Sequence, residues 1–436
     1  MTWKRRHALR RIFRSSLWPI PLICMAVAPM TARLTLWIDH LTGWTLNISV
    51  DAARAVVSTL EGSLLAFIVF IFSFLLVAVQ LASAQFSPRV IARMFRDTFT
   101  KLALGIFVFD FTYSLMVLSR IEHPVPMLTG LVCGYGTLAC LAIFVFLIDR
   151  LGKELRPVRI LASVAAEGRK VIRTIYPELI TASRLPPLVD TATLGMPSRV
   201  LVHRGGGGVL LAFDDQGLLK LAEKADCIIE LVPQVGDFIA TDDPLFRIYG
   251  SGQTIDEVVL SESVAIGQER TPEQDPLFAF RIIVDIAAKA LSPAINDPTT
   301  AVLAIDQLHH LLRQVGSRQL DTGQDRDAAG RLRLIYRTPD WEDFLSLAVT
   351  EIRHYGGSSI QVARRLRAML ESLIQSVPQE RAVMLRQELS LLHRSAERCF
   401  AEPEDRALAA VSDSQGIGGN HANGQVTPSS KEASRR

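Results

Sequence analysis

EGSLLAFIVFIFSFLLVAVQLASAQFSPR, residues 61–89, carries no formal charge between Glu61 and Arg89. Crossing the hydrocarbon core takes roughly 20 apolar residues in a helix, because a helix satisfies its own backbone without water. Three further stretches share the pattern. Glu122 to Asp149 is uncharged with His123 neutral, Arg14 brackets a run that ends at Arg33, and Lys101 to Arg120 contains a single acid, Asp110. The first 150 residues therefore read as four membrane spans, followed by a large soluble half.

The basic residues orient these spans. Lys4, Arg5, Arg6, Arg10, Arg11 and Arg14 precede the first. Arg89, Arg93, Arg96 and Lys101 follow the second, and Arg150, Lys153, Arg156 and Arg159 follow the fourth. The other links hold only Arg33 and Arg54, or Arg120. Lys and Arg near span ends stay on the cytoplasmic side, so both termini are expected in the cytoplasm. A cleaved signal peptide ending at Ala26-Val27-Ala28 is the rival reading. Pro29 directly after the cut, and apolar character running on to Trp37, weigh against it.

Composition adds exclusions. The net charge of +3 leaves no concentrated basic face for nucleic acid. The five cysteines form no CxxC or Cys/His cluster, and His309 and His310 are adjacent rather than on one helical face. No cofactor, metal site or catalytic set is expected. The partners expected are the lipid bilayer and further copies of the chain, with any ligand of the soluble half unidentified.

Residues 151–183 read as a basic amphipathic stalk leaving the membrane, and residues 184–260 as a small β module. Arg199–His203, Val209–Phe213, Cys227–Val232, Phe238–Ile239 and Leu245–Tyr249 are the strand candidates, with a short helix over Gly217–Lys224. Val235 to Phe246 resembles the strand-turn-strand of lipoyl-type carrier modules, but no Lys stands between Asp237 and Arg247 to carry a cofactor. Gly205–Gly208 runs into a strand with no GK[ST] after it, so a hairpin turn is expected rather than a phosphate loop.

Residues 261–402 read as mainly helical. Asp275 with Pro276 opens one helix, Ser292-Pro293 ends it, and Asp297 with Pro298 opens the next. The corner puts Asn296 and Asp297 near a helix N-terminus, as caps or as an anion site. A strand over Leu332–Tyr336 and helices from about Trp341, Gln361 and Gln379 follow, and residues 403–436 are polar enough to predict disorder. The fold class is thus an α-helical membrane domain with four transmembrane helices, followed by a cytoplasmic α+β domain.

Several phrases together carry a family resemblance: Gln80 to Arg89, Arg270 to Pro276, Ala290 to Ala301, and Ile352 to Gly356. The chain resembles an uncharacterised bacterial family of predicted multi-pass membrane proteins, a domain-of-unknown-function family, over about residues 15–405. The resemblance implies a bacterial inner-membrane protein and brings no activity or cofactor. Asp110 departs from it, since such sequences carry a small or hydroxyl residue at that place in the third span.

An acid inside a span costs several kcal/mol unless it faces the bundle interior or finds a partner. Ser73, Gln80 and Ser87, two helical turns apart, are the expected partners of Asp110 in a polar seam between the second and third spans. Asp275, Asn296 and Asp297 form the candidate cytoplasmic site. An oligomeric channel or transporter with a regulatory cytoplasmic domain leads the readings, ahead of a non-conducting scaffold or sensor and of a membrane-bound enzyme.

Overall fold

The computed structural model describes residues 3, 16–85, 97–121, 124–154, 156–180, 188–252, 255–272 and 274–419. They divide into two compact units, one of Met1–Val164, Leu185–Phe278 and Thr322–Thr338, the other of Ala165–Arg184, Ala279–Asp321 and Pro339–Arg436.

In the first unit, α1 (Pro19–Thr42), α2 (Val50–Gln85), α3 (Thr98–Leu118) and α4 (Met127–Glu154) are each long and apolar enough to cross a membrane. Helix α1 runs through Pro29, where ring and backbone would ordinarily break a water-exposed helix. Spanning helices tolerate this, because neighbouring groups satisfy the freed carbonyl. Gly43, in the left-handed region at φ 67°, ends it. The links at that end pair as two short strands, β1 (Thr45–Leu46) with β2 (Val125–Pro126), antiparallel.

Helix α3 is the centre of the bundle. It packs against each of the other three, and 50% of its span is buried against 17–22% of theirs. Gly105 explains the closest approach: a Cβ there would stand 3.1 Å from both Cys24 Sγ and Ile20 Cγ2 of α1. The interior is divided lengthwise. Ala28, Ala32, Val57, Tyr113 and Val117 pack near the β1–β2 end, and Leu64, Ile71, Phe107, Cys140 and Leu147 pack toward the other.

The strands of the same unit form two sheets. A five-stranded sheet has the order β3 (Arg199–Val202), β7 (Pro244–Gly250), β5 (Cys227–Leu231), β10 (Leu332–Tyr336), β9 (Gln324–Arg326), and a three-stranded sheet the order β6 (Phe238–Ile239), β4 (Gly208–Phe213), β8 (Val264–Gly267). Alternation in β5 turns Cys227, Ile229 and Leu231 inward, where they meet Phe246, Ile248 and Leu334. Helices α6 (Asp215–Ala225) and α7 (Glu257–Glu262) belong here too.

Three expectations about this region are corrected. The β module does not end near residue 260, because β8, β9 and β10 complete its sheets, with Leu334 of β10 in parallel register with Ile229. Gly205–Gly208 is no hairpin turn: β3 and β4 lie in different sheets, and Gly208 opens β4 where a Cβ would stand 2.9 Å from Gly267 O. The carrier-like phrase likewise crosses from β6 to β7 between sheets.

The second unit is helical: α8 (Pro276–Ala290), of which Ala279 onward belongs here, α9 (Pro298–Gly316), α10 (Trp341–Tyr355), α11 (Ile360–Ser376), α12 (Gln379–Cys399) and α13 (Pro403–Ala409). The stretch expected as a stalk, helix α5 (Pro157–Ile175), contributes its second half to this core. Ala165 and Ile172 are fully buried, and a Cβ on Gly168 would stand 2.6 Å from Ala279 Cβ, so the helices meet backbone to backbone. Tyr176 then sets its ring edge against Phe344 at 6.3 Å.

The expected disorder from residue 403 is also corrected as far as residue 419. Arg364, 1% exposed, donates to the carbonyls of Val411, Gly418 and Gly419. Asp413 accepts the amides of Gln415, Gly416 and Gly418. Satisfied backbone groups thus order the loop after α13, while Ala409 of α13 packs with Ala363, Ala396 and Phe400. Residues 420–436 lie outside the described residues.

Candidate functional site: buried acids within the helix bundle

Asp110 sits on α3, about 18 Å along the helix from Thr98 and about 12 Å from Leu118 at 1.5 Å per residue. It is 3% exposed. Its carboxylate Oδ2 accepts from Thr137 Oγ1 at 3.3 Å and from Cys140 Sγ at 3.7 Å, both on α4. Gly136 lies directly beneath, and a Cβ there would collide with Asp110 Oδ1. The absence of a side chain at Gly136 is what seats the acid against the α4 backbone.

The partners expected in the second span are not the partners observed. Ser73 and Gln80 are exposed, and the Ser73 hydroxyl donates to Val69 O of its own helix. Ser87 lies outside the described residues. The two-turn spacing did put Ser73 and Gln80 on one face, but that face points away from α3.

Helix α2 instead contributes Glu61. In the sequence this residue merely bounds the uncharged stretch, whereas in the structure it lies twelve positions into α2. Its Oε1 is buried with no hydrogen-bond partner. Glu61 and Asp110 both lie in electrostatic range of the Cys133 thiol of α4, which itself accepts from Ser114 Oγ at 3.6 Å. Among the described residues neither acid makes an ion pair.

A second polar layer lies closer to the β1–β2 end. Asp39, 5% exposed, accepts from Leu128 N at 2.8 Å, Thr129 N at 2.9 Å and Thr129 Oγ1 at 2.6 Å. An acid of α1 therefore caps the N-terminus of α4, where unpaired amides and the helix dipole favour negative charge. Thr35, one turn earlier, shares a 2.8 Å hydrogen bond with the Tyr113 hydroxyl, and Thr129 and Asp39 lie beside that same hydroxyl. Thr129, Cys133 and Thr137 recur every four residues along α4. That spacing is the sequence signal for these layers.

At the opposite end the bundle is closed by charge and aromatic rings. Asp97 caps α3 through Thr100 N at 3.0 Å and pairs with Arg150 of α4 at 3.0 Å. Arg150 also lies over the Phe99 ring at 5.1 Å. Between this pair and Asp110, Phe67 stacks on Phe144 at 4.7 Å and meets Phe107 edge-on at 6.4 Å.

The candidates downstream of α4 separate. Asp275 does cap α8, its Oδ1 accepting from Leu277 N and Phe278 N, both at 3.1 Å. It is 3% exposed, Oδ2 has no hydrogen-bond partner, and Arg270 Nε lies 3.7 Å away. Burial pushes its carboxyl up to about 6, against the pull of the Arg270 guanidinium. Arg270 is held in turn by Gly236 O, and Gln274 brackets both backbone groups of Phe213. Asp297 caps α9 through Thr300 N at 3.0 Å and Thr300 Oγ1 at 2.5 Å. Asn296 takes φ 48°, a left-handed conformation that Asn adopts readily. Asp275 and Asp297 thus cap different helices, α8 and α9.

A family model described as "Predicted membrane protein (DUF2254)" matches residues 14–372. The chain belongs to this family. The DUF2254 match covers all four spans, every strand and most of α11, and it stops before the Asp413 loop. The uncharacterized proteins Mb1321c of Mycobacterium bovis and Rv1290c of Mycobacterium tuberculosis are each 28% identical to this chain, over 93% of it and 80% of their own length. No solved structure matches the chain.

Proposed function

We propose that this DUF2254 protein is a multi-pass inner-membrane protein that moves a small cation through an oligomer of its four-helix bundles, with Asp110 as the binding acid and the soluble half as regulator. One observation carries this reading. Asp110 is buried within the bundle and half-buried Glu61 turns a buried Oε1 inward near the same thiol, and among the described residues no basic residue pairs with either. Acids inside a membrane bundle are costly and mark ion pathways. Asp110 faces the interior of its own bundle, so the pathway runs through each four-helix bundle, whose narrow interior suits a small ion, and copies assemble side by side.

The orientation proposed has both termini in the cytoplasm. It rests on the three basic segments. Trp3 also packs against the small sheet at Leu211, Ala212 and Ala265, which supports a common side for the N-terminus and the soluble half. Regulation has a covalent route: α5 starts three residues after α4 ends, and its second half packs in the helical unit.

A second reading, a non-conducting scaffold, is favoured by Asp39, a buried acid whose partners make it a helix cap. Flux of protons and alkali cations in proteoliposomes separates the two. Transport predicts flux that Asp110→Asn abolishes while the protein stays folded, with more than one copy per detergent particle. A monomer without flux leaves the scaffold. Reporter fusions near residues 48, 95, 123 and 200 are expected to read outside, inside, outside, inside, and a periplasmic signal at 200 overturns the orientation.

A further inference from the structure

The groups around Asp110 select among cations. Thr137 Oγ1, which shares its one proton between Asp110 Oδ2 and Cys133 O at 2.9 Å, and Cys140 Sγ lie against its carboxylate, and Gly136 Cα closes the Oδ1 side. A hard metal cation needs about six oxygen ligands in a cage, and one carboxylate with a hydroxyl and a thiol supplies too few. A proton needs only the carboxylate.

The surroundings also differ between the two directions along the bundle. Toward the Asp39 end, polar groups continue at each helical turn: Ser114 with Cys133, then Tyr113 with Thr35, then Thr129 with Asp39. Hydroxyls both donate and accept, so each can pass a proton on while receiving another. Toward the Asp97–Arg150 end, the next side chains are Phe107, about one turn away on α3, and Phe144, about one turn beyond Cys140. Those rings and Phe67 pack together and offer no such group.

We propose that Asp110 is a proton-binding site in exchange with the Asp39 end of the bundle only, with the Phe67–Phe107–Phe144 cluster closing it toward the Asp97–Arg150 end. The inference rests on the reading of Asp110 as the binding acid. In each relay step one O–H bond, or at Cys133 an S–H bond, forms as the next breaks, the last formed being the O–H of the Asp110 carboxyl. Release is the reverse, and no electron changes hands. The titratable groups facing this route are Cys133 and Cys140 of α4, Glu61 of α2, Tyr113 of α3 and Asp39 of α1.

The test is infrared spectroscopy of the full chain in vesicles of uniform orientation, sorted by the accessible soluble half. The signal is the carbonyl stretch of a protonated carboxyl, assigned to Asp110 by its loss in Asp110→Asn. A pH step on the Asp39 side is expected to change the band at least tenfold faster than one on the soluble side. Thr129→Val and Tyr113→Phe are expected to slow that response, and Phe107→Ala to admit exchange from the other side. Equal rates from both sides, faster exchange from the soluble side, or a band that never responds to pH would each overturn the inference. One-sided exchange without net flux refutes transport yet sustains the access route. Flux of an alkali cation that leaves the band unchanged sustains transport and refutes the proton.

Discussion

The carboxylate of Asp39 and the first turn of α4 are bound together: Thr129 gives Asp39 both its amide at 2.9 Å and its hydroxyl at 2.6 Å. Residues 90 apart in sequence thus join α1 to α4 at the end where β1 and β2 pair. Away from water, the freed amides of Leu128 and Thr129 would have few alternatives. Asp39→Ala is expected to lower bundle stability by about 1–3 kcal/mol, the cost of leaving buried donors unmade. Asp39→Asn, which keeps an acceptor oxygen, should recover most of it. Unfolding of the detergent-solubilised chain measures both, and an unchanged Asp39→Ala would mean that the cap contributes nothing.

Gly136 and Asp110 constitute a matched pair, because a methyl group on one occupies the space of the other's carboxylate. Gly136→Ala should therefore cost about 1–3 kcal/mol, as overpacking does. In an Asp110→Ala background the same change should cost little, since the colliding atoms are gone. A double-mutant cycle by thermal unfolding reads the coupling directly. Additive costs would show that Gly136 is small for another reason.

The spans and strands were legible because their signals are local. Uncharged runs of helical length and β-branched runs between Gly, Pro and Asp fell where α1–α4 and β3–β7 stand. Choice of neighbour was not legible. Ser73 and Gln80 share a face by spacing, but whether it meets α3 is a tertiary matter, and in the structure Gly136 draws Asp110 to α4 instead. Glu61 was hidden because a charge reads as the end of a span, although it lies twelve positions into α2 with its Oε1 buried. Strand β10 was found, yet its parallel pairing with β5 joins Leu334 to Ile229 across intervening helices, and nothing local encodes that. Polarity past residue 403 suggested disorder, because the buried guanidinium ordering the loop belongs to a different helix, α11.

Two groups downstream of α4, buried Asp275 and half-buried His309, give opposite pH dependences. Asp275 is raised from 3.8 to about 6 by burial. The folded protein therefore holds more protons than the unfolded chain within that window, and this contribution to stability is lost as pH rises through it. His309 is lowered from 6.5 to about 4 by burial, with the charges of Arg365, His310 and Arg313 adding to the effect. There the unfolded chain binds more protons, so stability is lost as pH falls from 6.5 toward 4. Melting temperatures of the full chain between about pH 4 and 7 should show the two slopes opposed. Asp275→Asn is expected to steepen the loss on acidification, and His309→Gln to flatten it. Parallel curves for both variants would refute the assignment.

Arg364 gives the last prediction, because its role differs from that of an ion pair. Its guanidinium is buried and donates to three backbone carbonyls, at 3.2 Å to Val411, 3.2 Å to Gly418 and 2.9 Å to Gly419. A planar fork of fixed donors can reach three acceptors at once, and a lysine ammonium on a flexible stem cannot hold the same set. Arg364→Lys should therefore release the loop even though the charge is kept. Hydrogen exchange at Gly416 and Gly418, whose amides bind Asp413, is expected to rise at least tenfold. Protease cleavage should appear between about residues 410 and 419 while α11 stays protected, as locally opened segments are cut before the core. Asp413→Ala should give the same pattern from the other side of the loop. Should exchange rise in Asp413→Ala and stay unchanged in Arg364→Lys, the carboxylate alone orders the loop, and the buried guanidinium serves only to pack α11.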